Sequence, residues 1–360
     1  MSEYNLVVKN LSKSFNIIKT VKEDKDSFYR KIQSIFFGSS FLGYKRQIYV
    51  KQVLKDISFE VKNREYFGIL GPNGSGKTTL LSIIGTLFPP DSGEITIFDM
   101  DYYKHRNEIR KYIVPLFSWI QLHDIMGSTQ GTGRQVIERL LLYHDIDPKS
   151  VSKEIKTYSE ELGVADRLDD WIMRLSDGMR MKMFIIASMI IIENYDKFLL
   201  LCDEPFIYLD VATISYFKKF LENNVRDKRF SVIVASNLPN HIELFCNRVI
   251  VLDKGSIIFK GSLSKLKKLY ASHIIKITVK DNNIDRLLLK LSNLEVLSYT
   301  RRGEIYELKI MTKEPETIVP FIVDAVYQSG FKLIKLSIES PSIEEIVLKI
   351  IEEGKKFEET

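Results

Sequence analysis

The chain alternates short apolar runs with longer stretches of helical periodicity over most of its length. Residues 65–70 (EYFGIL) form one such run. Three more, each following a helical stretch, are residues 198–202 (FLLLC), 231–235 (SVIVA) and 249–252. Apolar runs of this length are typical of strands buried on both faces. The pattern therefore predicts an α/β fold with a mostly parallel sheet covered by helices.

Two regions with different patterns accompany this core. Residues 4–16 and 50–61 alternate well enough to predict two strands of a β-rich lobe at the start of the chain. Between them lies a predicted insertion, residues 19–47, in which apolar positions 28, 32, 35 and 36 have helical spacing and indicate a short amphipathic helix. It either lies against a membrane surface or a partner protein, or folds onto these two strands. Residues from about 121 to 180 have a mostly helical pattern.

The pattern changes again after about residue 271, where elements become short and mixed. The predicted order is strand, helix, hairpin, helix and strand, which is that of a small α+β ferredoxin-like module. A last helix follows it. We therefore divide the chain into residues 1–271 and an accessory domain, residues 272–360. The predicted elements of the second part are 273–279, 284–291, 295–300, 305–311, 317–329, 332–338 and 342–353.

Composition narrows the class of protein. Apolar residues make up 45% of the chain and charged residues 28%, as in an ordinary core-forming protein. The longest apolar stretch, 183–192, is half the roughly 20 residues that a spanning helix needs. Two cysteines exclude a disulfide framework, and the start of the chain lacks a signal-peptide pattern, so a cytoplasmic location is expected. The net charge of +5 is too small to indicate a class of binding partner.

A glycine-rich turn directly follows residues 65–70. Its sequence, GPNGSGKTT, satisfies G-x-x-x-x-G-K-[ST] between a predicted strand and a predicted helix. Gly74 and Gly76 let backbone N–H groups face a β-phosphate. Lys77 is expected to contact the β- and γ-phosphates in binding and catalysis, and Thr78 to place its hydroxyl on Mg²⁺. The candidate nucleotide-binding residues are Gly71, Pro72, Asn73, Gly74, Ser75, Gly76, Lys77, Thr78 and Thr79.

Two adjacent acids end another apolar run, in the sequence FLLLCDEP. Asp203 is expected to hold Mg²⁺ through its water shell, and Glu204 to orient the attacking water as a catalytic residue. An unpaired buried carboxylate costs several kcal/mol, so two acids after four apolar residues indicate a functional site. The alternative is a pair of solvent-exposed carboxylates at a strand end.

The order GPNGSGKTT, LSDGM, LLLCDEP and YLD resembles the ATP-binding subunit of an ABC transporter, over about residues 4–265. The run through DEPFIYLD and CNRVIVLDKGSIIFKG is similar to subunits of exporters whose permease is a separate polypeptide, and the C-terminal stretch SPSIEEIVLKI also resembles the closing helix of that subfamily. The resemblance implies a P-loop NTPase core with an antiparallel β-lobe and a helical lobe, and ATP and Mg²⁺ as cofactors. It also implies nucleotide-binding roles for Ser176, Gly178 and Asp210. Phe15, or alternatively Tyr49, is expected to stack on adenine unless Phe15 is an ordinary core aromatic.

The signature loop departs from the family's LSGGQ. Asp177 replaces a glycine and Met179 a glutamine. In the family this loop completes the ATP site of the opposite subunit. A carboxylate ~4 Å from a phosphate costs about 4 kcal/mol at an effective dielectric of ~20, which predicts a weak half-site.

Two further positions depart from the family. Asn237 stands where the family has a switch histidine, and its amide can donate a hydrogen bond but cannot take a proton near neutral pH. His241, four residues later, is an alternative switch residue or a surface histidine. The glutamine that links magnesium to the helical lobe corresponds to Ser118, unless a local shift lets Gln121 serve as the metal ligand. Slow hydrolysis of well-bound MgATP is therefore expected.

The resemblance implies a motor subunit of an ABC exporter, which pairs with a second ABC ATPase subunit and drives a separate transmembrane permease. The pair is either a homodimer or a heterodimer. Such a subunit is peripheral on the inner face of the membrane. One alternative is a nucleotide-gated regulatory or structural subunit with little hydrolysis. Another is a soluble ABC ATPase, but only one phosphate loop is visible and no aromatic-interleaved basic patch suggests nucleic-acid binding.

Overall fold

The computed structural model describes residues 3–22, 44–117, 131–224, 227–269, 273–280, 284–354 and 357–358. The amphipathic helix expected between residues 28 and 36 lies outside these residues, as do Ser118 and Gln121. Among the residues within these ranges, no helix is long and apolar enough to cross a membrane.

The described residues up to 203 form strands and helices in mixed order. In chain order they are β1 (Tyr4–Lys22), β2 (Tyr44–Lys62), β3 (Glu65–Leu70), α1 (Lys77–Ile84), β4 (Ser92–Ile97), β5 (Met100–Asp101), α2 (Arg106–Lys111), β6 (Ile113–Leu116), α3 (Gly133–Tyr143), α4 (Ser152–Glu161), α5 (Asp177–Asn194) and β7 (Lys197–Asp203). Two 3₁₀ turns, Ala165–Arg167 and Ile172–Arg174, precede α5.

The remaining elements complete the central fold and add the C-terminal module. They are α6 (Val211–Asn224), β8 (Arg229–Ser236), α7 (Pro239–Phe245), β9 (Arg248–Asp253), β10 (Ser256–Ser262), α8 (Leu263–Leu269), β11 (His273–Lys280), α9 (Asp285–Lys290), β12 (Glu295–Arg302), β13 (Ile305–Thr312), α10 (Pro315–Gln328), β14 (Lys332–Glu339), α11 (Ile343–Glu353) and β15 (Phe357–Glu358).

The central sheet has the strand order β15-β10-β9-β3-β8-β7-β6. From β9 to β6 every neighbouring pair is parallel, which confirms the mostly parallel sheet expected from the apolar runs. Strand β7 is buried from Phe198 to Asp203 because helices cover both faces of the sheet. Parallel strands end at one edge, so the residues that follow β3, β7 and β8 come together there.

An antiparallel lobe, in the order β2-β1-β4-β5, forms from the start of the chain. Strand β1 was expected to end in a turn near residue 16, but it continues to Lys22 and pairs with β2 over its whole length. The apolar alternation is broken at Lys19 and Lys22, which hid this extension. The side chains of residues 15–18 are exposed, so this part of the strand has no buried face to impose alternation.

The C-terminal module has the strand order β12-β13-β11-β14 and its own apolar core, as a ferredoxin-like fold requires. Its elements match the predicted order. The last helix, α11, differs from the sequence-based expectation because its buried Ile343, Ile346, Val347 and Ile350 belong to the central core. An amphipathic pattern defines an apolar face but not which core covers it. The division of the chain at residue 271 stays a proposal.

We predict that truncating the buried face of α11 destabilises the central fold. Ile346→Ala removes a fully buried side chain and should lower the free energy of unfolding by roughly 3 kcal/mol. Leu348, on the same helix, is 54% exposed, so Leu348→Ala should cost less than about 0.5 kcal/mol. Urea unfolding followed by far-UV circular dichroism measures both. Equal effects of the two substitutions would show that α11 is not anchored in the central core.

Candidate functional site

The turn between β3 and α1 wraps around the side chain of Lys77. Gly74 and Gly76 have positive φ angles, 80° and 110°, and Gly76 directly precedes the helix. A Cβ on Gly76 would also lie 2.7 Å from a methyl group of Leu54. These positions require glycine for conformation, and Gly76 also for space. Gly71, Pro72, Asn73 and Ser75 form the rest of the turn, and Thr79 lies in the first turn of α1.

Lys77 is the cation at the centre of this turn. Its Nζ donates to the backbone carbonyl of Gly71 at 2.8 Å and lies 3.7 Å from Oε1 of Glu204. Burial lowers the pKa of Lys77, and the carboxylates of Glu204 and Asp203 oppose that shift. A phosphate group would give this ammonium a further anionic partner.

Thr78 and Asp203 form the pair expected to hold magnesium. Thr78 Oγ1 donates to Asp203 Oδ2 at 2.6 Å, which joins the first turn of α1 to the end of β7. Asp203 is buried, whereas Thr78 is exposed to solvent. Mg²⁺ prefers oxygen ligands, keeps several waters and commonly takes only one or two groups from the protein. This hydroxyl and carboxylate therefore fit the ion, and they are the residues that would hold it.

The carboxylate of Glu204 is fixed by the end of strand β8. Its Oε2 accepts from Ser236 Oγ at 2.7 Å, and its Oε1 accepts from the backbone N–H of Asn237 at 2.7 Å. The backbone of Glu204 is left-handed, with φ 50°, a strained conformation for a non-glycine residue that occurs often at functional sites. The end of strand β8, rather than strand β7 that Glu204 follows, thus orients the Glu204 carboxylate.

Asn237 links Glu204 to the phosphate loop. Besides its backbone bond to Glu204, its Nδ2 donates to Asn73 Oδ1 at 3.2 Å. Its Oδ1 is buried and has no hydrogen-bond partner among the described residues. An amide at this position can stabilise phosphate by donating, but it supplies neither a positive charge nor a proton acceptor.

His241 reaches Glu204 only through Ser236. Helix α7 begins at Pro239, and this places His241 Nδ1 3.4 Å from Ser236 Oγ. Its ring lies edge-on to Phe206 at 5.7 Å. Burial lowers the pKa of His241, and the negative charge of Glu204 opposes this. Ser236 was not among the residues singled out in the sequence, where its only signal was a hydroxyl at the end of the apolar run SVIVA.

The signature loop forms the N-terminus of α5. Ser176 is its N-cap, with Oγ accepting from the backbone N–H of Met179 at 3.3 Å. Gly178 is required for space, because a Cβ there would lie 2.5 Å from the carbonyl oxygen of Tyr208. The side chain of Asp177 is half-exposed and forms an ion pair with Arg180, Oδ1 to Nη1, at 3.0 Å. This pairing reduces the phosphate repulsion expected from Asp177 alone.

Two other candidates have local roles in the described structure. Asp210 Oδ1 accepts from the backbone N–H of Thr213 at 2.7 Å, and this bond is the main reason why the pKa of Asp210 is lowered to about 2. Its Oδ2 lies 3.2 Å from Nζ of Lys182 on α5. Phe15 is 39% exposed and packs edge-on against Phe88 at 5.7 Å. It therefore presents part of its ring to solvent, as a residue that stacks on a base must.

Comparison with known proteins identifies relatives of this chain. The ABC transporter family model matches residues 54–207. The ABC transporter ATP-binding protein NatA of Bacillus subtilis is 29% identical over 218 residues, covering 60% of this chain and 85% of NatA. The linearmycin resistance ATP-binding protein LnrL of the same organism is 26% identical, over 83% of this chain and 94% of LnrL. The methionine import ATP-binding protein MetN 1 of Staphylococcus aureus is 23% identical, over 77% and 79%.

A solved structure shows the same fold. It is a dimeric ATP-binding cassette in a post-hydrolysis state, bound to ADP and Pi, and it superposes with a TM-score of 0.52 at 21% identity. The match covers 72% of this chain and 98% of that one.

We predict that Arg180 offsets the charge of Asp177. Arg180→Gln should raise the MgATP concentration for half-maximal turnover about tenfold, because an unpaired carboxylate near a phosphate costs at most about 4 kcal/mol and is partly screened. Arg180 also donates to the carbonyl oxygens of Ile172 and Met173, so the substitution is repeated in an Asp177→Gly background. There its effect should largely vanish. An effect of the same size in both backgrounds would mean that Arg180 acts only by fixing the backbone.

Proposed function

Because the chain carries the ATP-binding domain of the ABC transporter family, we propose that it is the ATP-hydrolysing motor subunit of an exporter. In this proposal, two ATPase subunits dimerise around MgATP and drive a separate transmembrane permease, with the chain peripheral on the inner face of the membrane. The observation that supports it best is the convergence of Lys77, the Thr78–Asp203 pair and Glu204 at the carboxyl edge of the sheet. The exporter assignment rests on the resemblance of residues 340–350 to exporter subunits and on the similarity to LnrL, a resistance protein, over most of both chains, although MetN 1, an import protein, is also similar.

Each group of site residues is assigned one role in phosphoryl transfer from ATP to water. Backbone N–H groups of the glycine-rich turn and Lys77 bind the β- and γ-phosphates. Thr78 and Asp203 hold Mg²⁺, which when bound neutralises charge on the phosphate oxygens. Glu204, fixed by Ser236 and Asn237, orients the water that attacks the γ-phosphate. Ser176 and Gly178 would approach the nucleotide of the opposite subunit.

Turnover is expected to be slow, because the position of the switch histidine carries an amide. Asn237 can donate a hydrogen bond to the γ-phosphate, but it cannot add positive charge there as the reaction proceeds. His241 contacts Ser236, which in turn donates to Glu204, so we infer that His241 does not take the place of the switch histidine directly. The same observation favours a second candidate function, a nucleotide-gated regulatory subunit that binds MgATP and barely hydrolyses it.

Turnover and membrane co-purification together test the proposal. We expect measurable MgATP turnover by the purified protein, and Glu204→Gln should lower kcat about 100-fold or more with little change in nucleotide affinity. Glu243→Gln, at an acid on the exposed side of α7 that pairs with Lys267, is the matched control and should leave kcat unchanged. Turnover that survives Glu204→Gln would contradict the assigned role of that residue.

The existence of a permease partner is tested by purifying the tagged chain from membranes. The tagged chain should retain a polypeptide that contains spanning helices, and the retained complex should hydrolyse MgATP. Retention without turnover would favour the regulatory alternative. Turnover without any such polypeptide would favour a soluble ABC ATPase.

A further inference from the structure

Strands β1 and β2 continue beyond the β-lobe as a two-stranded ribbon. Its residues are 16–22 and 44–51, and we call this segment the basic ribbon. Cross-strand pairing runs from Asn16↔Val50 to Lys22↔Tyr44. The other neighbour of β1, strand β4, pairs with it only as far as Ser12. Within the described parts of the chain, the ribbon therefore has no third strand at either edge.

Apolar side chains are exposed on both faces of the basic ribbon. On one face, the cross-strand neighbours Ile18 and Ile48 are 59% and 67% exposed, and Val50 beside them is 72% exposed. On the other face, Ile17 and Tyr49 are paired and are 36% and 45% exposed. Exposed apolar strands with open edges are prone to aggregate, so natural proteins rarely leave them uncovered. Their concentration here marks an interaction surface.

The charge of the basic ribbon has a single sign. Its two strand segments contain Lys19, Lys22, Lys45, Arg46 and Lys51, and neither segment contains an Asp or Glu. In the whole chain, by contrast, 52 basic residues are nearly balanced by 47 acidic ones. The excess of positive charge is thus concentrated in the sequence of these two strand segments.

We propose that the basic ribbon binds the surface of an anionic lipid bilayer. Apolar side chains that enter the headgroup region, together with basic residues that attract anionic lipids, are the two signals that peripheral membrane binding requires. The residue types fit, since tyrosine is favoured at the membrane interface and lysine stems can extend toward the headgroups. A protein groove would cover one face of a ribbon, whereas headgroups and acyl chains adapt to both.

The depth of insertion is limited by the backbone. Among the described residues no third strand pairs with the ribbon, so the N–H and C=O groups along its outer edges lack strand partners, and such groups cannot be satisfied in the hydrocarbon region. The ribbon therefore lies at the level of the headgroups, where water remains available, and does not cross the bilayer. This interaction goes beyond the proposed motor function, because it involves lipid and needs no permease.

Vesicle sedimentation of the purified full-length chain tests the proposal. Vesicles of phosphatidylcholine alone are compared with vesicles that contain phosphatidylglycerol as well. The protein should bind the anionic vesicles at least about tenfold more tightly, and this preference should fall as salt is raised. Absence of binding, or equal binding to both kinds of vesicle, would overturn the proposal, and would leave the nucleotide-binding assignment untouched.

Matched variants separate the ribbon from the rest of the surface. Ile18→Ser with Ile48→Ser, and separately Lys45→Glu with Arg46→Glu, should each lower vesicle affinity about tenfold or more. The controls change exposed positions elsewhere: Leu289→Ser on α9, and Lys149→Glu with Lys153→Glu in the helical lobe. These should bind vesicles as the unaltered protein does, and every variant should retain its affinity for MgATP. Equal losses in the controls would show that overall charge or apolarity, not the ribbon, is responsible.

Discussion

Two adjacent carboxylates lie at the end of a buried strand. Their need for hydrogen-bond and ionic partners is the constraint on which the rest of the site depends. Asp203 is almost fully buried, and Glu204 adopts a strained left-handed backbone beside it. Buried charge is tolerated only with hydrogen-bond and ionic partners. The neighbouring strand ends supply them, since Thr78 follows β3 and the Ser236–Asn237 pair follows β8. The parallel sheet is what brings these three strand ends together.

The same constraint explains why the departures from the family pattern have unequal consequences. Asp177 lies at an exposed helix start, where Arg180 in the next turn can pair with it at small cost. Asn237 lies inside the network that holds Glu204, and no described group replaces the missing imidazole there. A surface charge can be compensated by one neighbour, whereas the chemistry of the switch position depends on the residue itself. We therefore expect nucleotide binding and hydrolysis to be affected separately.

Much of the fold could be predicted from the sequence because its signals are local. The run EYFGIL matches strand β3, and the helix expected to begin near Lys77 does begin there. The elements of the C-terminal module also match, to within a few residues at their ends. The core against which α11 packs could not be predicted, because its apolar face fits either the central core or the core of the C-terminal module. The length of β1 was missed since residues 15–18 are exposed and impose no alternation.

The site was predictable wherever a motif fixes both residue type and backbone, as at residues 71–79. Roles that a side chain fulfils by orienting or contacting another side chain could not be predicted. Ser236 orients Glu204 but belongs to no motif, and the contact between His241 and Ser236 depends on where α7 begins. Likewise, the ion pair of Arg180 with Asp177 requires knowing that α5 begins at Asp177. Tertiary contacts of this kind are absent from the sequence pattern.

In the proposed function, Asn237 limits hydrolysis at a MgATP site whose phosphate loop, Asp203 and Glu204 are in place. The single-turnover rate of Asn237→His, measured with saturating MgATP beside the unaltered protein, tests this limit most directly. An imidazole adds a donor that can carry positive charge near the γ-phosphate, so the rate should rise about tenfold or more while MgATP affinity stays within a few-fold. An unchanged or lower rate, in a variant that binds MgATP normally, would contradict the claim.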